Sequence, residues 1–256
     1  MVYLAGAPPA AKMTESVEQF YDQQWSSQQL AQEANTILLM FDSAISYSYS
    51  LLGNLQGKKL LEIGCGSGQQ ALYFSSKGSL VTAIDISEEC LNSVRNLIKK
   101  HAVKNIQVQN MDAHSLQFPD NSFEIIYLNS VLMHADKEKM LRECHRVLAP
   151  GGSIIIIEPL QYSPPMMVYR LFSSYRKTNP DYMSISQFKR FAPYFSTFQH
   201  QEFYFFSLVS LPFFRFQNTT HAVRLSKQLE KLDNLLIHIF PPLRHLYWVS
   251  VVQYHK

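Results

Sequence analysis

The stretch at residues 60–68, LLEIGCGSG, constrains this chain more than any other. A short apolar run that stops on alternating glycines is a buried strand entering a tight turn and then a helix. Residues 60–64 read as the strand, and residues 69–77 as a helix stopped by Gly78. Gly64, Gly66 and Gly68 fit a GxGxG spacing. A dinucleotide fingerprint would need glycine where Gln69 stands, and the Gly-Lys-Ser/Thr of a Walker A loop is absent. Taken alone, the triplet serves equally well as a tight turn with no ligand.

The strand-helix alternation continues for about a hundred residues. LVTAID (80–85) is a second strand, followed by a helix that Ser87 caps and that carries Glu88 and Glu89 in its first turn. Leu91, Val94, Leu97 and Ile98 make that helix's apolar face. Residues 106–109, 123–128 and 153–158 are three further strands. A helix at 136–148, closed by Pro150-Gly151-Gly152, precedes the last of them. This order predicts a mostly parallel sheet with helices on both faces. Ligands of such sheets sit at the carboxyl ends of the strands. The polar residues there are the ones to weigh: Glu62 and the glycines, Asp85, Asp112, Asn129 and Glu158.

Their chemistry narrows the ligand. Glu62 precedes the first glycine by two residues. A carboxylate there repels a pyrophosphate and attracts an ammonium or sulfonium. The helix N-terminus after the loop still offers N–H groups to a carboxylate. A zwitterionic amino acid with a cationic sulfur meets both demands. Asp85 ends the second strand, where an acid reaches the two hydroxyls of a ribose; the alternative is a helix cap, for which Ser87 is better placed. Ile86 can pack on an adenine face. Asp112, followed by Ala113, can accept from an adenine amino group or serve as an ordinary turn acid.

Composition fits a chain that buries a core: 46% of residues are apolar and 17% charged. The charge is uneven. Residues 1–160 carry 12 Lys+Arg against 16 Asp+Glu, and residues 161–256 carry 11 against 4. The later part also holds 21 of the 33 aromatics, so the two parts do different jobs. Cys65, Cys90 and Cys144 form no CxxC pair or Cys/His cluster. That pattern predicts no metal site and no disulfide framework, and a reduced cytoplasmic setting. Residues 1–12 lack the pattern of a signal peptide, and no run approaches the length of a membrane span.

Four blocks now carry a resemblance: LLEIGCGSG, VTAIDIS, NMDAHSLQFPDNSFEIIYLNSVLMH and LRECHRVLAPGGSIIIIEP. From about residue 58 to 159 the chain resembles the class I S-adenosylmethionine-dependent methyltransferases of the type 11 family. Glu62 stands where that family commonly has Asp, and Glu124 where it often has Asp after Phe. The resemblance implies a Rossmann-like, seven-stranded, mostly parallel α/β sheet that binds S-adenosylmethionine and releases S-adenosylhomocysteine. Glu62, Gly64, Gly66 and Gly68 would hold the methionine end, Asp85 the ribose and Ile86 the adenine face. Asp112 and Ala113 would read the adenine edge. Asn129 would lie beside the sulfonium, and Tyr21 would cover the cofactor.

Four segments are expected: a tail (1–13), an N-terminal helical cap (14–57), the cofactor-binding core (58–160) and a lid with late strands (161–256). Within the last, helices are expected at 166–176, 186–195 and 217–240, and strands at 203–211 and 245–255, as an antiparallel pair completing the sheet. Methyl transfer needs an acceptor lone pair aligned with the S–CH3 bond and water excluded. A base is required only for a protonated nucleophile. His134 is the candidate base, or else it packs beside the cofactor. Glu158 is a candidate for orienting the acceptor. Tyr162, Met166, Tyr169 and Arg170 would form a lid over an apolar or aromatic small molecule, a specialised metabolite in the leading reading. Asn129-Ser130-Val131-Leu132 lacks the motif of DNA amino-methylating enzymes, which argues against DNA. RNA, a lipid or quinone acceptor, contact with a membrane, and cofactor binding without turnover remain the alternatives. Oligomeric state is not legible.

Overall fold

The computed structural model describes residues 42–172, 180–210 and 219–256, with the backbone alone at 169, 171–172 and 219–222. Tyr21, most of the expected 14–57 helical cap and the Tyr169 side chain lie outside the described residues. The chain runs α1 (Asp42–Ser50), β1 (Lys59–Ile63), α2 (Gln69–Ser76), β2 (Leu80–Asp85), α3 (Glu88–His101), β3 (Ile106–Asn110) and β4 (Phe123–Asn129). It continues through α4 (Lys137–Val147), β5 (Leu148–Pro159), α5 (Pro164–Phe172), α6 (Ile185–Phe191), β6 (Thr197–Phe203), α7 (Thr219–Ile239) and β7 (Val249–His255).

The seven strands form one sheet in the order β3-β2-β1-β4-β5-β7-β6. The first five are parallel, whereas β7 runs antiparallel to both β5 and β6. Alternation along the strands divides the core. Leu60, Ala83, Tyr127, Ile155 and Val251 face Ala44 of α1, Phe74 of α2 and Leu91 of α3. Leu61, Ile84, Ile126, Ile156 and Val252 face Leu141 of α4 and Phe188 of α6. Both faces are covered, as a parallel sheet requires. The strand order changes direction between β1 and β4, which opens a crevice at their carboxyl ends.

Local signals set the helix ends. Ser87 Oγ accepts from Cys90 N–H at 3.2 Å at the start of α3. Asp136 Oδ1 does the same for Lys139 at the start of α4. The expected helix at 186–195 is shorter: a capping box between Ser184 and Gln187 starts it at Ile185, and Ala192–Tyr194 tightens to a 3-10 turn. Helix α5 begins two residues before the expected 166, and residues 173–176 of that expectation lie outside the described residues.

The expected strand at 203–211 is a correction. The strand is β6, Thr197–Phe203, which pairs with β7 along its whole length. It ends where Tyr204 takes φ 67°. Beyond it, the Asp233 carboxylate of α7 accepts from the N–H groups of Phe205, Phe206 and Ser207 at 2.7–3.2 Å and from Ser207 Oγ at 2.7 Å. These bonds wind Phe206–Ser210 into a 3-10 turn. A buried carboxylate distant in sequence thus overrides the strand preference of an aromatic run.

Candidate active site at the carboxyl edge of the sheet

The first strand delivers its chain into the loop with Gly64 at φ 71° and Gly68 at φ 76°. A Cβ at Gly64 would stand 2.5 Å from Val131, and one at Gly68 2.9 Å from Val94. Both positions therefore require glycine, for conformation and for space. Asp85, at the end of β2, braces this loop. Its Oδ2 accepts from Gly66 N–H at 3.1 Å and its Oδ1 from Ser87 N–H at 3.0 Å.

A cavity of about 220 Å³ opens here. Gly64, Gly66, Asp85, Ile86, Asp112, Ala113, Asn129 and His134 all line it, brought from the ends of four strands. Ile63, Met111, Val131 and Met140 add an apolar wall. Gly68 lies behind the rim, as the first residue before α2.

Glu62 is 1% exposed, beneath the loop and outside the cavity lining. Neither of its carboxylate oxygens has a hydrogen-bond partner among the described residues. Its neighbour across the β1–β4 ladder is Tyr127, whose hydroxyl meets Ser48 Oγ of α1 at 2.9 Å and Gln70 Nε2 of α2 at 3.1 Å. Burial first, and the Asp85 charge second, push the Glu62 carboxyl up to about 8. A nearby cation would reverse that shift.

The sequence reasoning passed over His114, although it follows Asp112 by two residues, a spacing that lets an acid and an imidazole meet across a turn. His114 lines the cavity. Its Nδ1 lies 2.6 Å from Asp112 Oδ1, and its Nε2 accepts from Asp136 N–H at 2.9 Å. The proton therefore sits on Nδ1, shared with Asp112. The His114 ring first, with the His114 backbone N–H at 2.9 Å, holds the Asp112 carboxyl below the usual carboxylate range.

His134 ends a 3-10 turn, Leu132–His134, beside Asn129. Burial pulls its imidazole down to about 4, so it is neutral at neutral pH and a weak base.

Four expected acceptor contacts fall elsewhere. Glu158 does not line the cavity. It is fully buried, and its Oε1 accepts from Val131 and Leu132 N–H, both at 2.6 Å. Its role is to brace the turn that carries Asn129–His134, because strand β5 aims it under that turn. Arg170 is pinned inward: its guanidinium donates to the Leu160 and Gln161 carbonyls and stacks on Tyr182 at 3.6 Å. Met166 is a core residue, 6% exposed, grouped with Tyr204 and Trp248. Tyr162 is about half exposed and does not reach the cavity.

Residues 61–156 match the family model described as a methyltransferase domain. A demethylmenaquinone methyltransferase of Staphylococcus epidermidis is 35% identical over 124 residues, 46% of this chain and 50% of that protein. A ubiquinone/menaquinone biosynthesis C-methyltransferase of Shewanella baltica is 34% identical over 135 residues, 50% of this chain and 53% of that protein. The chain thus spans about half the length of the curated relatives it matches. Among solved structures, phosphoethanolamine N-methyltransferase 2 of Haemonchus contortus in complex with S-adenosyl-L-methionine superposes with a TM-score of 0.61. It covers 82% of this chain and 51% of that one at 18% identity, a likeness of fold. On the sheet order, the glycine loop and the family match together, residues 61–156 resemble a methyltransferase domain and lie on a Rossmann-like α/β sheet.

Proposed function

We propose that this chain is an S-adenosylmethionine-dependent methyltransferase acting on an apolar small molecule, and that its acceptor is of the quinone or lipid kind. The observation that carries the cofactor is the single cavity onto which Gly64, Gly66, Asp85, Asp112 and Asn129 converge. Two features support the fit. A Cβ at Gly64 or Gly68 would crowd Val131 or Val94, and the buried Glu62 carboxyl behind the loop matches a ligand that carries an ammonium. Bound there, S-adenosylmethionine supplies an electrophilic methyl group on a sulfonium.

The chain's own residues then divide the work. Asp85, at the end of β2 and on the cavity wall, offers carboxylate oxygens that can accept from the ribose hydroxyls. Ile86 and Met111 offer apolar faces to an adenine ring, and Asp112, oriented by His114, offers a carboxylate to its amino edge. Asn129 and the turn braced by Glu158 present the methyl-accepting side. His134 is held neutral there, fit to accept a hydrogen bond from an acceptor hydroxyl and orient it in line. The apolar wall and the activities of the relatives from Staphylococcus epidermidis and Shewanella baltica favour a quinone-type acceptor over RNA.

Titration calorimetry with S-adenosylhomocysteine tests the cofactor assignment. The unmodified chain is expected to bind it, and Asp85→Ala to bind at least about ten-fold more weakly, since two charge-assisted hydrogen bonds are lost. Equal affinity in the two proteins would remove Asp85 from the site.

A further inference from the structure

Helix α7 presents to solvent a face that a helix of a water-facing enzyme would ordinarily keep polar. Leu232, Leu235 and Ile239 recur at helical spacing and are 41%, 54% and 68% exposed, and Phe240 continues the stripe at 56%. The charges are sorted around it. Both acids of the helix turn inward. Asp233 is buried against the 3-10 turn at Phe206–Ser210, and Glu230 accepts from Ser43 Oγ at 2.5 Å and from Ser226 Oγ at 3.1 Å. The exposed ions flanking the stripe are basic, Arg224 and Lys231, while Lys227 faces Asp42 at 3.7 Å. An outward apolar stripe edged by cations is the pattern of a helix that lies in the plane of a membrane interface. No helix among the described residues is long and apolar enough to cross a membrane.

The placement of this helix gives the pattern a purpose. In the sheet, Pro159 of β5, Val249 of β7 and Phe203 of β6 lie in one register row. The β6–β7 connection that contains α7 therefore leaves from the same carboxyl edge on which the glycine loop, Asp85 and Asn129 stand.

We propose that the Leu232-Leu235-Ile239 face of α7, with Arg224 and Lys231 beside it, docks this protein on an anionic lipid surface, with the candidate active site at the docked edge of the sheet. An apolar acceptor would then reach the enzyme from the bilayer. The docking stands on residues that take no part in the methyl-transfer reading.

The test is co-sedimentation of the full chain with two kinds of vesicle, phosphatidylcholine alone and phosphatidylcholine with phosphatidylglycerol. The protein is expected to sediment with the phosphatidylglycerol vesicles, less with the neutral ones, and less as salt rises. Arg224→Glu with Lys231→Glu should weaken that partition on the order of ten-fold or more. Leu235→Glu with Ile239→Glu should weaken it comparably. S-adenosylhomocysteine affinity should be unchanged in both variants, which shows that they are folded. Absence of vesicle binding, or equal binding to both lipids and by all variants, overturns the proposal. So does a dimer in sedimentation velocity that Leu235→Glu with Ile239→Glu dissolves, since the face then belongs to a second copy. If the unmodified chain binds vesicles but not S-adenosylhomocysteine, the methyl-transfer reading fails and the docking stands.

Discussion

Two buried glutamates show how far residue-scale reasoning reaches. Glu62 and Glu158 both stand near strand ends, and both are held up to about 8 by burial. The place of Glu62 beside the glycine loop was legible, although it lies under the loop and outside the cavity lining, because its two-residue distance from Gly64 is a local fact. Glu158 was not, because the turn that claims its oxygen, Val131-Leu132, belongs to another strand's exit, 26 residues and more away. Only the β4–β5 pairing shows that the carboxylate is a brace. Removing it leaves the buried Leu132 N–H and the half-buried Val131 N–H without that acceptor, a loss of about 1–3 kcal/mol. Glu158→Ala should therefore lower stability to denaturant by that amount and weaken S-adenosylhomocysteine binding through the displaced turn. Glu158→Gln keeps a carbonyl oxygen for the same two donors and should restore most of both. An alanine variant that matches the unmodified protein in both measurements would refute the bracing role.

At the scale of elements, periodicity located the first five strands to within a residue or two at most of their ends, β5 excepted. It begins five residues before the expected 153 because Leu148 already pairs with Phe123, ahead of an irregularity that carries residues 149–152. These strands were readable because each is a local apolar run bounded by glycine, acid or cap. The region after residue 160 was less so. The aromatic-rich run at 203–211 has the composition of a strand, yet a tertiary contact decides its form: three backbone N–H groups converge on Asp233. Asp233→Ala should cost about 3 kcal/mol or more, since a buried charge-assisted cluster is lost as a unit. Urea unfolding measures it. A loss under about 1 kcal/mol would mean that the turn holds itself without the carboxylate.

For the whole molecule, the buried site groups set a pH dependence. Glu62 and Glu158 carry folded values raised to about 8, so the stability they confer is complete below their unfolded values and is lost as pH rises through about 8. His134, lowered to about 4, works on the other side: its share is present above its unfolded value and is lost as pH falls through about 4. Between about pH 6.5 and 8 the two carboxylates act alone among these three. The ligand-free protein should lose stability there, on the order of 1 kcal/mol per pH unit for each carboxylate. Glu62→Gln should remove about half of that slope in urea melts taken across the range; an unaltered slope would show that Glu62 does not titrate there. The fold, the glycine loop and the strand-end places of Asp85 and Asp112 were legible because each is written in contiguous text. The acceptor was not, because the lid residues expected to touch it, Met166 and Arg170, are turned into the protein. The most direct test of the central claim is methyl transfer itself. The protein would be incubated with methyl-labelled S-adenosylmethionine and, in parallel, a quinone-containing lipid extract or total RNA. The account predicts label in the organic phase from the lipid extract, lost in Asp85→Ala. Label in RNA alone, or S-adenosylhomocysteine binding with no label in either, would contradict it.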